Sequence, residues 1–152
     1  MKNQPNKEEI AAELERIRAD GDGILQPEAV VSAAEDDESI LHPCFTWDDG
    51  EAGRQFRLWQ ARQLIRITVS IIGNGSPHTV RTYVSLHHDR QGEGGGYRAL
   101  VDVLADADLR ESLLEEALAE LKVFQQKYRV LKELAPVFAA ARKVAKRQGH
   151  VA

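Results

Sequence analysis

Apolar residues in this chain recur first at helical and then at strand spacing, and each change of period marks an element. Ile10, Leu14 and Ile17 lie three to four apart behind Asn6 and Glu9, which are placed as N-cap and N3 of a helix that Gly21 and Gly23 close. Pro27 suits the first position of a second helix, and Glu28 suits its positive end. Ala29, Val30, Val31, Ala33 and Ala34 make that helix short and largely buried. Asp36-Asp37-Glu38-Ser39 ends it. His42-Pro43 reads as a non-helical break, because a residue before proline avoids the α region. Asp48 with Glu51 is a second capping pair ahead of Ala52, Phe56, Trp59 and Leu64, which predicts a third helix from Asp49 to about Ile65.

Beyond that helix the period becomes two. Ile67, Val69 and Ile71 alternate with Thr68 and Ser70, and Val80, Thr82, Val84 and Leu86 alternate with Arg81, Tyr83, Ser85 and His87. Gly73-Asn74-Gly75-Ser76-Pro77 separates the runs, so the pattern predicts a β-hairpin. Val69 and Val84 are expected on its core side, with Arg66, Thr68, Ser70, Arg81, Tyr83, Ser85 and His87 on the wet side. Gly92 to Gly96 has the composition of a flexible linker, and Tyr97 to Leu104 looks like a short helix. From Asp108 a long helix carries Leu114, Ala117, Leu121, Phe124, Tyr128, Leu131, Ala135 and Phe138 at successive heptad positions, with Pro136 expected to kink or break it. The expected fold is α+β and mainly α. A winged-helix-like body of three helices plus a hairpin spans 1–90, a glycine-rich linker 91–96, and a helical oligomerisation segment with a long kinked C-terminal helix 97–152.

Charge changes this picture more than composition does. Hydrophobic residues at 43% and charged ones at 29% fit an ordinary folded domain. The net charge of −4 excludes a generic polyanion binder, so nucleic-acid contact would have to be local. Cys44 is alone, which rules out an intrachain disulfide and favours an intracellular location. The first residues lack the apolar core of a signal peptide. The longest apolar run, Leu64 to Ile72, is interrupted by Arg66, Thr68 and Ser70, so no membrane span is expected.

Between Glu51 and Asp89 there is no acidic residue, although the chain is acidic overall. This stretch covers the third helix and the hairpin and carries Arg54, Arg57, Arg62, Arg66 and Arg81, five planar forks suited to phosphate or carboxylate. In a winged-helix domain the third helix enters the major groove and the hairpin is the wing, so these five arginines are the expected DNA contacts. The competing reading is a solvated face with internal ion pairs, since Arg54, Arg57, Arg62 and Arg66 spread over about half a helical wheel. The long helix has an acidic first half and a basic second half, which suits its dipole and also makes it self-complementary in an antiparallel pair. Leu114, Leu121, Phe124, Tyr128, Leu131 and Phe138 are the expected homo-oligomer interface.

Catalytic chemistry finds little support. His87-His88-Asp89, His42 and Cys44 lack paired metal-ligand spacing, and the glycine run lacks the Lys-Ser/Thr of a P-loop. Cys44 has no evident base partner, and the acid-free hairpin has no carboxylates to hold nuclease metals. No catalytic residue, metal or cofactor is expected.

The segments from Leu25 to Val31, Leu41-His42-Pro43, Phe45 to Asp49, Phe56 to Ile65 and Tyr128 to Leu134 together resemble a family of small phage- and prophage-encoded proteins. The resemblance implies a bacterial cytoplasm and a virus-related gene, with no assigned activity and no functional residue to carry over. The expected function is therefore a non-enzymatic, self-associating DNA-binding protein. The alternative is a protein-interaction module, a structural or inhibitory factor with a phage or host protein as partner.

Overall fold

The computed structural model describes residues 4–47, 50–72, 78–92 and 95–149. The chain divides into two compact units, Met1–Ala105 and Asp106–Ala152. It is α+β and mainly helical, with small antiparallel sheets.

Helix α1 (Lys7–Asp20) opens on the expected capping box. The Asn6 side chain accepts from the Glu8 and Glu9 amides at 2.9 Å, and Glu9 accepts from the Asn6 amide at 2.8 Å. Gly21 ends the helix, and Gly23 takes a positive φ of 83° to turn the chain into strand β1 (Ile24–Leu25). Helix α2 (Pro27–Ala34) starts on its proline as expected. His42-Pro43 does not break the chain but opens a short 3₁₀ turn, His42–Cys44, where proline needs no amide hydrogen. Helix α3 runs Glu51–Ile67, and its N-cap is Gly50 with no side-chain bond. Asp48, the expected cap, lies outside the described residues.

The strands depart most from expectation. The hairpin pairs β2 (Val69–Ile72) with β3 (His78–Arg81), in the register Val69 to Arg81 and Ile71 to Thr79. Its turn, 73–77, lies outside the described residues. One residue later the chain changes sheet. The Thr82 amide donates to the Thr68 carbonyl at 3.0 Å, while its own carbonyl accepts from Leu100 at 2.8 Å. Strand β4 (Tyr83–Val84) thereby leaves the hairpin, and after a single helical turn, α4 (His87–Arg90), it pairs with β5 (Tyr97–Ala99). The resulting sheet has the order β1-β5-β4, all antiparallel. Helix α5 (Leu100–Ala105) closes the first unit.

The helix expected over Tyr97–Leu104 is thus a strand and then a helix. The glycine run is interior to the first unit, not a boundary. Gly96 is buried, and a Cβ there would come within 2.7 Å of Ile24 Cγ2, so a glycine lets β5 approach β1.

The core of this unit gathers Leu14 and Ile17 of α1, Leu25 of β1, Val30, Val31 and Ala34 of α2, and Leu58, Ala61 and Ile65 of α3. Leu41, Phe45 and Tyr83 complete it. The expected faces are reversed on β2, whereas on β3 Arg81 is exposed as expected and Val80 is half-buried. Thr68 is buried and its hydroxyl donates to the Leu64 carbonyl at 2.9 Å, while Val69 is 53% exposed. Tyr83, expected on the wet side, is 2% exposed because it belongs to the other sheet, and its hydroxyl donates to Glu15 at 3.3 Å. Arg18 ties this corner together, meeting Glu15 at 2.6 Å and Asp102 at 3.0 Å.

The second unit begins with Asp106, whose carboxylate caps α6 (Ala107–Lys127) by accepting from the Asp108 and Leu109 amides at 3.0 Å. The long helix does not continue to a kink at Pro136. It stops at Tyr128, the chain turns through a 3₁₀ segment at Lys132–Leu134, and Pro136 sits in the first turn of a separate helix, α7 (Ala135–Arg147). The heptad therefore folds back, and Phe124 meets Phe138 with ring centroids 6.2 Å apart.

Two stability predictions follow from the reversed strand β2 and the buried phenol. In urea unfolding, Tyr83→Ala should cost about 3 kcal/mol or more, as for a fully buried large side chain, whereas Val69→Asp should cost less than about 1 kcal/mol. Burial, then the nearby Glu15 charge, pushes the Tyr83 phenol well above its ordinary value. A raised folded pKa stabilises the protein below the unfolded value and is lost as pH climbs toward the folded one, so stability should fall above about pH 10. Tyr83→Phe should flatten that alkaline limb in melts taken from about pH 9 to pH 11.

Candidate interaction face on the third helix and hairpin

Helix α3 has an inner apolar side and an outer one. Leu58, Ala61 and Ile65 point into the core. Phe56, Trp59, Gln63 and Ile67 fall within about 80° of one another on the opposite side, at 100° per residue. Trp59 is 52% exposed, and Phe56 and Ile67 are exposed too. The Phe56 and Trp59 rings stack on each other, with centroids 5.6 Å apart and planes 14° from parallel. Such an aromatic pair in solvent is the kind of patch that a monomeric surface rarely keeps.

The ribbon carries the apolar character further along the chain. Alternation from buried Thr68 places Val69 and Ile71 on the outer side, and Ile71 is 74% exposed. Direct cross-strand pairing sets Arg81 beside Val69 and Thr79 beside Ile71 on that same face. On the other side Ser70 lies beside half-buried Val80, and the Ser70 and Thr82 hydroxyls lie 2.6 Å apart.

The five expected DNA-contacting arginines do not form one group. By helical geometry Arg62 and Arg66 both lie to one side of Trp59 on α3, Arg62 half-buried and Arg66 exposed, and Arg81 joins the ribbon face. Arg54 and Arg57 fall on the other side of the wheel. Arg57 is engaged, its guanidinium 5.2 Å from the Trp47 ring centroid and its Nη1 donating to the Thr46 carbonyl at 3.5 Å. Trp47 stacks in turn on His42 at 4.8 Å and donates to the His42 carbonyl at 3.2 Å. The Arg57–Trp47–His42 stack is a structural clamp that holds the segment before α3. Trp59 and Phe56, which the sequence pattern marks only as positions of the third helix, are exposed and form the centre of the candidate face, which counting arginines did not point to. Their signal is the wheel itself, since they lie opposite Leu58, Ala61 and Ile65.

The other candidates resolve into structure. Asp89 is nearly buried and is held by the Arg98 guanidinium at 2.8 Å, while accepting from the Leu86 amide at 3.3 Å. His42 Nδ1 meets the Ala34 carbonyl at 2.9 Å. Burial pushes the Cys44 thiol up, which makes it a poor nucleophile near neutrality. Among the described residues, no three metal-ligating side chains converge, and no helix is long and apolar enough to cross a membrane.

In the second unit, no residue of α6 is buried. Leu114 and Tyr128 are half-covered, Leu121, Phe124 and Leu131 are exposed, and Phe138 alone of the expected interface is buried. Phe138 is therefore a packing residue of the α6–α7 turn and not a surface contact.

Comparison with protein-family models, with curated proteins and with solved structures returns no match.

Because Arg57 is a packing residue and Arg66 is not, the two should separate in thermal melts. Arg57→Ala is expected to lose about 1 kcal/mol of cation–π and stem packing, and Arg66→Ala less than about 0.5 kcal/mol.

Proposed function

We propose that the protein acts by binding and not by catalysis, and that its working surface is the outer side of α3 continued onto the hairpin, where it docks another protein. The observation that carries this reading is the exposed Phe56–Trp59 stack, followed by Ile67, Val69 and Ile71 and flanked by Arg62, Arg66 and Arg81. Tryptophan and arginine are the residues that most often anchor protein interfaces, and an apolar centre with a charged rim is the usual layout of such a surface. The rim is basic and the stretch has no carboxylate from Ala52 to His88, so the partner surface that fits is apolar and edged with acids.

A second reading is DNA binding. It is favoured by the order of three helices and a hairpin, which is that of a winged helix, and by three arginines on the solvent side of the third helix and the ribbon. Against it, aliphatic side chains such as Ile71 have no role on a phosphate backbone, and Arg57 is already engaged.

The two readings part in one comparison. Fluorescence anisotropy with labelled duplex and single-stranded DNA should show no binding at physiological salt for the protein-docking face. DNA recognition would instead give an affinity that falls log-linearly with salt and is lost in Arg62→Glu/Arg66→Glu. In parallel, affinity capture with the wild type and with Trp59→Ala should differ in the proteins retained. Identical captures, together with salt-sensitive DNA binding, would overturn the protein-docking reading.

A further inference from the structure

We propose that the surface covering the α3–hairpin face is helix α6 of a second copy of this chain. The inference rests on the reading that this face docks protein, and it names the occupant. Helix α6 buries none of its residues fully: Leu113, Leu114 and Leu118 are half-covered, and Phe124 packs on Phe138 while staying partly exposed. By helical geometry Leu113, Leu114, Ala117, Leu118, Leu121 and Phe124 form one stripe, preceded by Arg110 and edged by Glu111, Glu115 and Lys122 on one rim and by Glu116, Glu120 and Lys127 on the other, so that acids outnumber lysines on both rims. Phe124 is 44% exposed and Leu121 is exposed beside it.

The two surfaces match in chemistry and in length. One is an apolar stripe with Arg62 and Arg66 along one edge and Arg81 on the adjoining ribbon, the other an apolar stripe whose rims are predominantly acidic. From Phe56 to Ile67 and from Leu113 to Phe124 the chain advances the same number of residues, about 16 Å of helix in each case. Each copy carries both surfaces, so two copies can exchange them reciprocally through two identical contacts. Opposite rims fix the pairing: two α3 faces repel each other, as do two α6 rims, while the mixed pair attracts.

This arrangement differs from an antiparallel pairing of C-terminal helices. There the acidic half of one α6 would meet basic residues beyond Tyr128, but the chain turns at Tyr128, so Arg129 and Lys132 lie in the turn and its 3₁₀ segment and Arg142, Lys143, Lys146 and Arg147 in a separate helix.

Sedimentation equilibrium of the full chain tests the proposal with two variants, Arg62→Glu/Arg66→Glu/Arg81→Glu and Glu111→Lys/Glu120→Lys. The wild type should be a dimer at about 50 µM, and each variant alone should dissociate at least about tenfold more readily. Mixed in equal amounts, the two should recombine, because the acidic face of the first meets the basic helix of the second at one contact, and the unchanged face of the second meets the unchanged helix of the first at the other. Recombination also demonstrates that both variants are folded, and circular dichroism checks each alone. The milder Arg62→Gln/Arg66→Gln should weaken the dimer without reversing charge. A monomeric wild type, a dimer indifferent to both reversals, or two folded monomers that fail to recombine would each overturn the exchange. None of these outcomes touches the docking face itself, which fails if Trp59→Ala leaves protein capture unchanged and DNA binds with a salt-dependent affinity.

Discussion

The Thr68 hydroxyl donates to the Leu64 carbonyl at 2.9 Å inside the protein, and the polarity of the hairpin follows from that contact. A strand alternates strictly, so a threonine turned inward at the end of α3 turns Val69 and Ile71 outward. Ser70, facing inward, then finds the Thr82 hydroxyl at 2.6 Å. That hydroxyl pair is satisfied under the ribbon, and Val69 and Ile71 are left exposed to water. Each exposed valine or isoleucine forgoes roughly 1.5–3 kcal/mol of burial, a cost that a partner surface can recover.

The same division runs back along α3. Its inner side closes the core through Leu58, Ala61 and Ile65, so its outer aromatics have no room within that core. An apolar face without carboxylates, in a chain with a net charge of −4, also constrains what can cover it. Another basic surface is repelled, and a purely polar one leaves Trp59 in water. Helix α6 has the opposite problem, an apolar stripe with predominantly acidic edges and no fully buried residue. Each of the two surfaces lacks what the other carries, which is why a common occupancy is proposed.

Much of the helical framework was legible in the sequence because its signals are local. The Asn6–Glu9 box and Pro27 at the start of α2 concern neighbouring residues only, and both stand where the pattern puts them. The strands were not legible in the same way. Nothing between Val80 and Leu86 marks the change of sheet at Thr82, because the change depends on Leu100 and Thr68 donating and accepting from distant positions. Likewise Gly96 has the composition of a linker but serves a close approach to Ile24. The heptad from Leu114 to Phe138 kept its spacing across a turn, so periodicity alone could not reveal that α6 ends at Tyr128. The acid-free stretch did locate the candidate face, but counting arginines could not separate Arg57, held over Trp47, from Arg62 and Arg66 beside Trp59.

The central claim is that Trp59 becomes covered when molecules meet, and its own fluorescence reports this most directly. With Trp47→Phe, Trp59 is the sole tryptophan, and its emission can be followed from nanomolar to about 100 µM protein. A blue shift and loss of acrylamide quenching, saturable with concentration and reversed by Glu111→Lys/Glu120→Lys, is the expected result. An emission maximum that stays red and fully quenchable at every concentration would contradict it.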